Sequence, residues 1–110
     1  MKTTFVALTF ALAAGIGLAG QQSRTFIGVI SDSMCLRDHT AMKVSPVSKC
    51  VNDCVKASKD IRYSLIAGKN AYTLSDREKP GRFAGQKVRV KGVLHAKTNV
   101  IEVESIEPAR

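Results

Sequence analysis

Tryptophan is absent, and two tyrosines and four phenylalanines are the only aromatic residues. None of them interleaves the basic run Lys87, Arg89, Lys91, so the sequence offers no stacking platform for single-stranded nucleic acid. Acidic residues are scarce, 9 against 17 lysines and arginines. No glycine-rich phosphate loop occurs, and no paired carboxylates suggest glycoside chemistry. Ser33 and His39 with Asp32 or Asp38 contain the residue types of a hydrolytic triad. A few residues of polar loop supply neither a nucleophile elbow nor an oxyanion site, and the chain reads as no conventional enzyme. Cysteine is sparse and odd in number, three in all, with no Cys-x2-Cys pair among them.

Long apolar runs are also missing. The longest, Phe5 to Leu18, is shorter than the roughly 20 residues a bilayer core requires. With Lys2 before it and the small residues Gly17, Ala19 and Gly20 around its end, it reads as a secretory signal peptide over residues 1–20, cleaved after Ala19 or Gly20. Gln21 follows in place of the cysteine that a bacterial lipid anchor needs. The expectation is an exported protein, periplasmic or secreted, with residues 21–110 as one domain and no membrane span after cleavage. About ninety residues then remain, near the size where a hydrophobic core alone leaves a modest stability margin and a staple helps.

Arg24 to Ile30 reads as a first strand, with Gly28 marking a bend or a close backbone approach. Ser31, Asp32 and Ser33 are competent N-caps for a short helix from Met34 toward Met42, or for an ordered loop. Ser45-Pro46 predicts a cap and first helical residue for a helix to about Ser58, its apolar stripe made of Val47, Cys50, Val51, Cys54 and Val55. Ile61–Leu65 and Ala71–Leu74 alternate around a Gly68-Lys69-Asn70 turn, and Pro80 to Gly85 suits a single helical turn packing Phe83 beneath the sheet. Gln86 to Lys97 is the longest strand, with a bulge expected at Gly92, and Val100 to Ile106 is the last, turned at Thr98-Asn99. Five short strands, mainly β, with one or two short helices in an insertion over residues 31–59, fit an OB-like barrel; a meander with one packed helix is the alternative.

Lys87, Arg89 and Lys91 share one face of a strand, with Glu102 and Glu104 expected opposite them. The face is either merely solvated or a surface for an anionic partner, such as a phospholipid or a polyanionic envelope component. Export argues against nucleic acid. His95 reads as a solvated edge residue.

The order Gly28-Val-Ile-Ser-Asp-Ser-Met-Cys35, then His39, Cys50-x3-Cys54-Val55, Tyr63-x-Leu65, Gly68-Lys69-x-x-Tyr72-x-Leu74 and Ala84-Gly85-Gln-Lys-Val88-x-Val90-x-Gly92 resembles a family of small exported bacterial proteins of unknown function, acidobacterial among others. The resemblance implies export, an OB-like barrel and shared use of Asp32, Cys35, His39, Cys50 and Cys54, and it implies no activity. Lys59-Asp60 stands where the family has glycine before the Tyr-x-Leu strand. Separately, Cys35-x3-His39-x2-Met42 is similar to half of the binuclear copper motif of cytochrome oxidase subunit two. Ser31 occupies the position of its first bridging cysteine, so only the ligand chemistry carries over.

Three chemistries stay open for this segment. A disulfide from Cys35 to Cys50 or Cys54 would close a loop of about fifteen to twenty residues, worth about 3 kcal/mol. Alternatively Cys35, His39, Cys50 and Cys54 form a zinc set, or the thiolates with Met42, and Met34 beyond it, suit copper(I), with Asp32 or Asp38 accepting the spare imidazole proton. A third reading is thiol redox chemistry, with Cys35 acidified by a helix start near Met34 and by Arg37.

Overall fold

Successive side chains of β1 (Arg24–Asp32) point to opposite faces, so Phe26, Gly28 and Ile30 turn inward while Thr25 and the apolar Ile27 and Val29 stay exposed. The computed structural model describes residues 22–36 and 46–109. After β1 come α1 (Val47–Ala57), β2 (Tyr63–Ala67), β3 (Asn70–Leu74), a 3-10 helix (Lys79–Phe83), β4 (Lys87–His95) and β5 (Val100–Pro108). Among the described residues the protein is mainly β, one five-stranded sheet with a single α-helix after the first strand. The expected leader lies outside the described residues, and among those described no helix is long and apolar enough to cross a membrane.

Neighbouring strands run in the order β1-β2-β3-β5-β4, and β4 pairs back onto β1. All pairs are antiparallel except β3 with β5, joined in parallel at Thr73–Val100 and Leu74–Ile101. Inside, Ile30, Leu65, Leu74, Val88, Val90 and Ile101 are fully buried, and α1 lays Val51 and Val55 against them. Each such side chain contributes about 1.5–3 kcal/mol of burial. Phe83 packs on this core from the 3-10 helix, as its sequence position predicts.

Two glycines are set by close approach. A Cβ on Gly28 would fall 2.3 Å from the Ile66 carbonyl oxygen, and one on Gly92 would fall 2.2 Å from that of Glu102. The register does shift at Lys91/Gly92, from Lys91–Ser105 to Gly92–Val103, but the extra residue is Glu104 on β5. The β4 face runs unbroken through Val88, Val90, Gly92 and Leu94, and the phase change lies between Val103 and Ile106.

The helices differ from expectation at their ends. Helix α1 begins at Val47, with Pro46 at the cap in extended backbone (φ −74°, ψ 172°), its carbonyl accepting from Lys49 and Cys50 N–H at 3.0 and 3.2 Å. Ser45, the expected cap, lies outside the described residues. A helix does not start at Met34: Ser33–Leu36 is one turn, closed by Leu36 N–H on the Asp32 carbonyl at 3.0 Å and ended by Leu36 at φ 51°. Strand β2 starts two residues later than predicted, because Arg62 is bonded to Ser33 and not to a full ladder partner. At the far end of α1 the Arg77 guanidinium donates to four carbonyls, Val55 (2.9 Å), Ser58 (3.3 Å), Lys59 (3.2 Å) and Ile61 (2.8 Å). A cation there satisfies the unpaired last-turn acceptors and complements the negative end of the helix dipole.

Gly92→Ala is expected to cost about 1–3 kcal/mol, because its Cβ displaces backbone. Gly68→Ala, at φ +60° with nothing within 4 Å, is expected to cost only about 1 kcal/mol of left-handed strain. Urea denaturation of the two variants checks the difference; equal losses would mean that the bulge does not depend on this contact.

Candidate metal centre

Asp32 closes β1 with its side chain wholly buried, and its Oδ1 accepts the N–H groups of Met34 (2.9 Å) and Cys35 (2.8 Å). The same turn is tied across to β2: Ser33 N–H donates to the Arg62 carbonyl at 2.8 Å, and Arg62 N–H donates to Ser33 Oγ at 3.0 Å. Ser31 Oγ donates to the Leu36 carbonyl. Cys35 is therefore held by backbone that has its hydrogen bonds on both sides.

Helix α1 supplies the other two thiols. Cys50 and Cys54 are one turn apart on its buried stripe with Val51 and Val55, as the helical period predicts. The Sγ atoms of Cys35, Cys50 and Cys54 lie within 4.8 Å of one another. All three are free thiols; the expected bridge from Cys35 to a helix cysteine is not formed, and the atoms make a cluster of three.

Burial pushes the Cys54 thiol up from 9.0 to about 11, helped by the Asp32 carboxylate and by Cys50 and Cys35. Cys35 is also raised, by burial first and then by Asp32 and Cys50. This reverses the expected acidification of Cys35: the helix start that would have favoured its thiolate is a lone turn, and a carboxylate stands nearby. The folded state holds the Cys54 proton more tightly than the unfolded chain does. Its linkage is neutral below the ordinary thiol range and destabilises the metal-free fold as pH climbs toward about 11.

The remaining predicted residues divide. Asp32, expected to accept an imidazole proton, spends Oδ1 on the turn that carries Cys35. His39, Met42, Asp38 and Arg37 lie outside the described residues, and Met34 is exposed. Lys87, Arg89 and Lys91 are exposed on β4, in register with Val29, Ile27 and Thr25 of β1. The glutamates expected to meet them do not: Glu102 bonds His95 Nε2 at 3.0 Å, and Glu104 accepts from Ser23 Oγ at 2.9 Å. The bulge displaces Glu104, setting Ser105 opposite Lys91 and Glu107 opposite Arg89, while Glu102 on its hairpin side faces Val93. Arg62 and Arg77, which anchor the cysteine turn and the cysteine helix, escape sequence reading because their partners are carbonyls of distant segments.

Residues 67–109 match a protein-family model described as "Protein of unknown function (DUF5818)". The match covers the stretch from the end of β2 to just past β5, and agrees with the expectation of an uncharacterised family. The three cysteines fall before it. No curated protein and no solved structure matches the chain.

At pH 8 the reduced, metal-free protein is expected to show about a hundredfold less Cys54 thiolate than the denatured chain, following from the rise to about 11. Iodoacetamide should modify half-buried Cys35 before Cys54, and the Cys54 rate should climb about tenfold per pH unit toward that value. Mass-resolved alkylation reads this directly. Fast Cys54 alkylation at neutral pH would contradict the electrostatics and favour the redox reading.

Proposed function

We propose that this chain is an exported binding module on an OB-like barrel, in which Cys35, Cys50 and Cys54 together hold one soft metal ion, copper(I) or zinc. The observation that carries the reading is the convergence of three free thiols from two separately anchored elements. Tetrahedral ligation with metal–sulfur bonds of about 2.3 Å sets sulfurs roughly 3.8 Å apart, so separations within 4.8 Å close with side-chain rotation alone.

Electrostatics supports the same reading. Burial, Asp32 and the neighbouring thiols all oppose ionisation of Cys35 and Cys54, and a bound cation would offset each of them. Binding releases protons from the thiols, so affinity rises with pH. His39 completes a three-thiolate, one-imidazole set for zinc; Met42 supplies the thioether that copper(I) favours. The strand order, with β3 parallel to β5 and β4 returning to β1, supports the OB-like assignment. Export through the leader over residues 1–20 brings the thiols into an oxidising compartment, where three so close would not stay reduced without an ion to hold them.

The protein is expressed with its leader and taken from the periplasm for native and denatured intact-mass measurement, alkylation and a metal scan. The expected result is about one equivalent of copper or zinc, lost on unfolding, and three alkylatable thiols. Cys35→Ser, Cys50→Ser and Cys54→Ser should each abolish retention of the ion through desalting, with His39→Ala doing so for zinc and Met42→Ala for copper(I). One bridge, one free thiol and no metal would overturn the reading.

A further inference from the structure

An open cleft of about 590 Å³ lies between the C-terminal end of α1 and the 3-10 helix. Its floor is Val55 and Tyr63, and the tyrosine is fixed there by donating to Asn52 Oδ1 at 2.6 Å. Gly81 leaves room for that hydroxyl, since a Cβ on it would come within 2.7 Å of the Tyr63 oxygen. The rim carries Lys56, Lys59, Arg77 and Arg82, against a single acid, Glu78.

A helix C-terminus is ordinarily the negative end and repels anions. Here Arg77 is bonded to the terminal carbonyls, so its charge is matched to them and the field of the other three cations is left uncancelled. Lys56, Lys59 and Arg82 have no side-chain hydrogen bond or ion pair to any described residue. Nearby Lys49 and Lys79, by contrast, are paired with Asp53 and Asp76. Three uncommitted cations over a floor that is partly apolar and partly aromatic, in a space of metabolite size, ask for a compact dianion attached to an organic body.

We propose that this cleft binds a small phosphate monoester, the phosphate held by Lys56, Lys59 and Arg82 and the organic part lying over Val55 and Tyr63. A phosphate monoester carries about 1.5 to 2 negative charges at neutral pH, where a carboxylate carries one. The inference is independent of the metal reading.

The probe is glucose 6-phosphate, titrated into the isotope-labelled full chain at physiological ionic strength and followed by amide shifts, with glucose and glucuronate as neutral and carboxylate comparisons. Saturable binding is expected, with shifts centred on Tyr63 and Gly81, and both comparisons weaker by at least about tenfold, the value of roughly one charge interaction. Lys59→Glu with Arg82→Glu should weaken binding by more than tenfold, and Glu78→Gln should strengthen it. Lys87→Glu with Lys91→Glu makes the same change in net charge on the exposed β4 face and should leave affinity unchanged. No saturation up to about 10 mM, equal binding of glucuronate, or equal loss from the β4 pair would each overturn the proposal, the last by reducing the effect to bulk charge.

Discussion

Strand β1 must change partners along its length, and the sheet and the cysteine cluster both depend on that handover. Arg24 to Val29 pair with β4, Val29 to Asp32 pair with β2, and Val29 itself faces Lys87 on one side and Ile66 on the other. At the handover Gly28 brings its backbone against Ile66, where no side chain would fit. Because the strand serves both neighbours, β4 can return to it and every strand has two partners. The handover also decides where β1 ends. Ile30 is delivered to the core, and Asp32 arrives at the last ladder position facing Tyr63, buried and ready to gather the Met34 and Cys35 backbone donors with one oxygen. Cys35 follows from that turn.

Much of this is legible in the residues. A nearly continuous apolar run locates the first strand and alternation the other four, the 3.6-residue period places Cys50 and Cys54 inward, and glycine in β1 marks the close approach at Gly28. Asn99 sits at φ 61° in the turn that Thr98-Asn99 signals, a conformation asparagine tolerates. What local pattern misplaces is the bulge. Gly92 draws the eye because glycine suits a bulge, yet it is the small partner that lets the opposite strand carry the extra residue. The spacing Ile101, Val103, Ile106 holds the correct signal, since two inward residues in a strand cannot be three apart without one extra between them. At the candidate site, facing of the cysteines is legible, but the role of Asp32 is not. A buried carboxylate three residues before a cysteine looks like a partner for an imidazole, and only the turn geometry shows that backbone claims its Oδ1. The parallel β3–β5 contact and the reach of Arg77 are long-range, and no window of sequence contains them.

The cluster has an energetic tension that bears on its chemistry. As neutral thiols, three cysteines are ordinary small apolar filler, and burial keeps Cys35 and Cys54 so. As thiolates beside Asp32 they would be several like charges in one poorly solvated place, which the raised Cys35 and Cys54 values express. Burial and repulsion therefore keep little thiolate at Cys35 and Cys54 as the cluster stands. A cation changes both terms at once, because it cancels the repulsion and replaces the lost hydration with direct bonds. The arrangement penalises a lone reactive thiol, and this weighs for the proposed ion over redox exchange more than the residue types do.

Positioning of the two helix thiols comes from outside the helix. Eleven residues are too few for a stable isolated helix in water, and α1 has no side-chain N-cap and no acid in its first turn. Tertiary contacts hold it instead: Val51 and Val55 sink into the sheet, Asn52 joins Tyr63 of β2 to the Gly81 carbonyl, and Arg77 gathers the carbonyls at its end. Each of these anchors lies on the sheet or on the β3–β4 connection, the same framework that fixes the Asp32 turn through Arg62. Cys35 and the Cys50–Cys54 pair are thus referenced to one rigid body by separate routes. Thiols so placed need no further ordering of the chain that carries them, which is the pre-organisation that the proposed ion site would require.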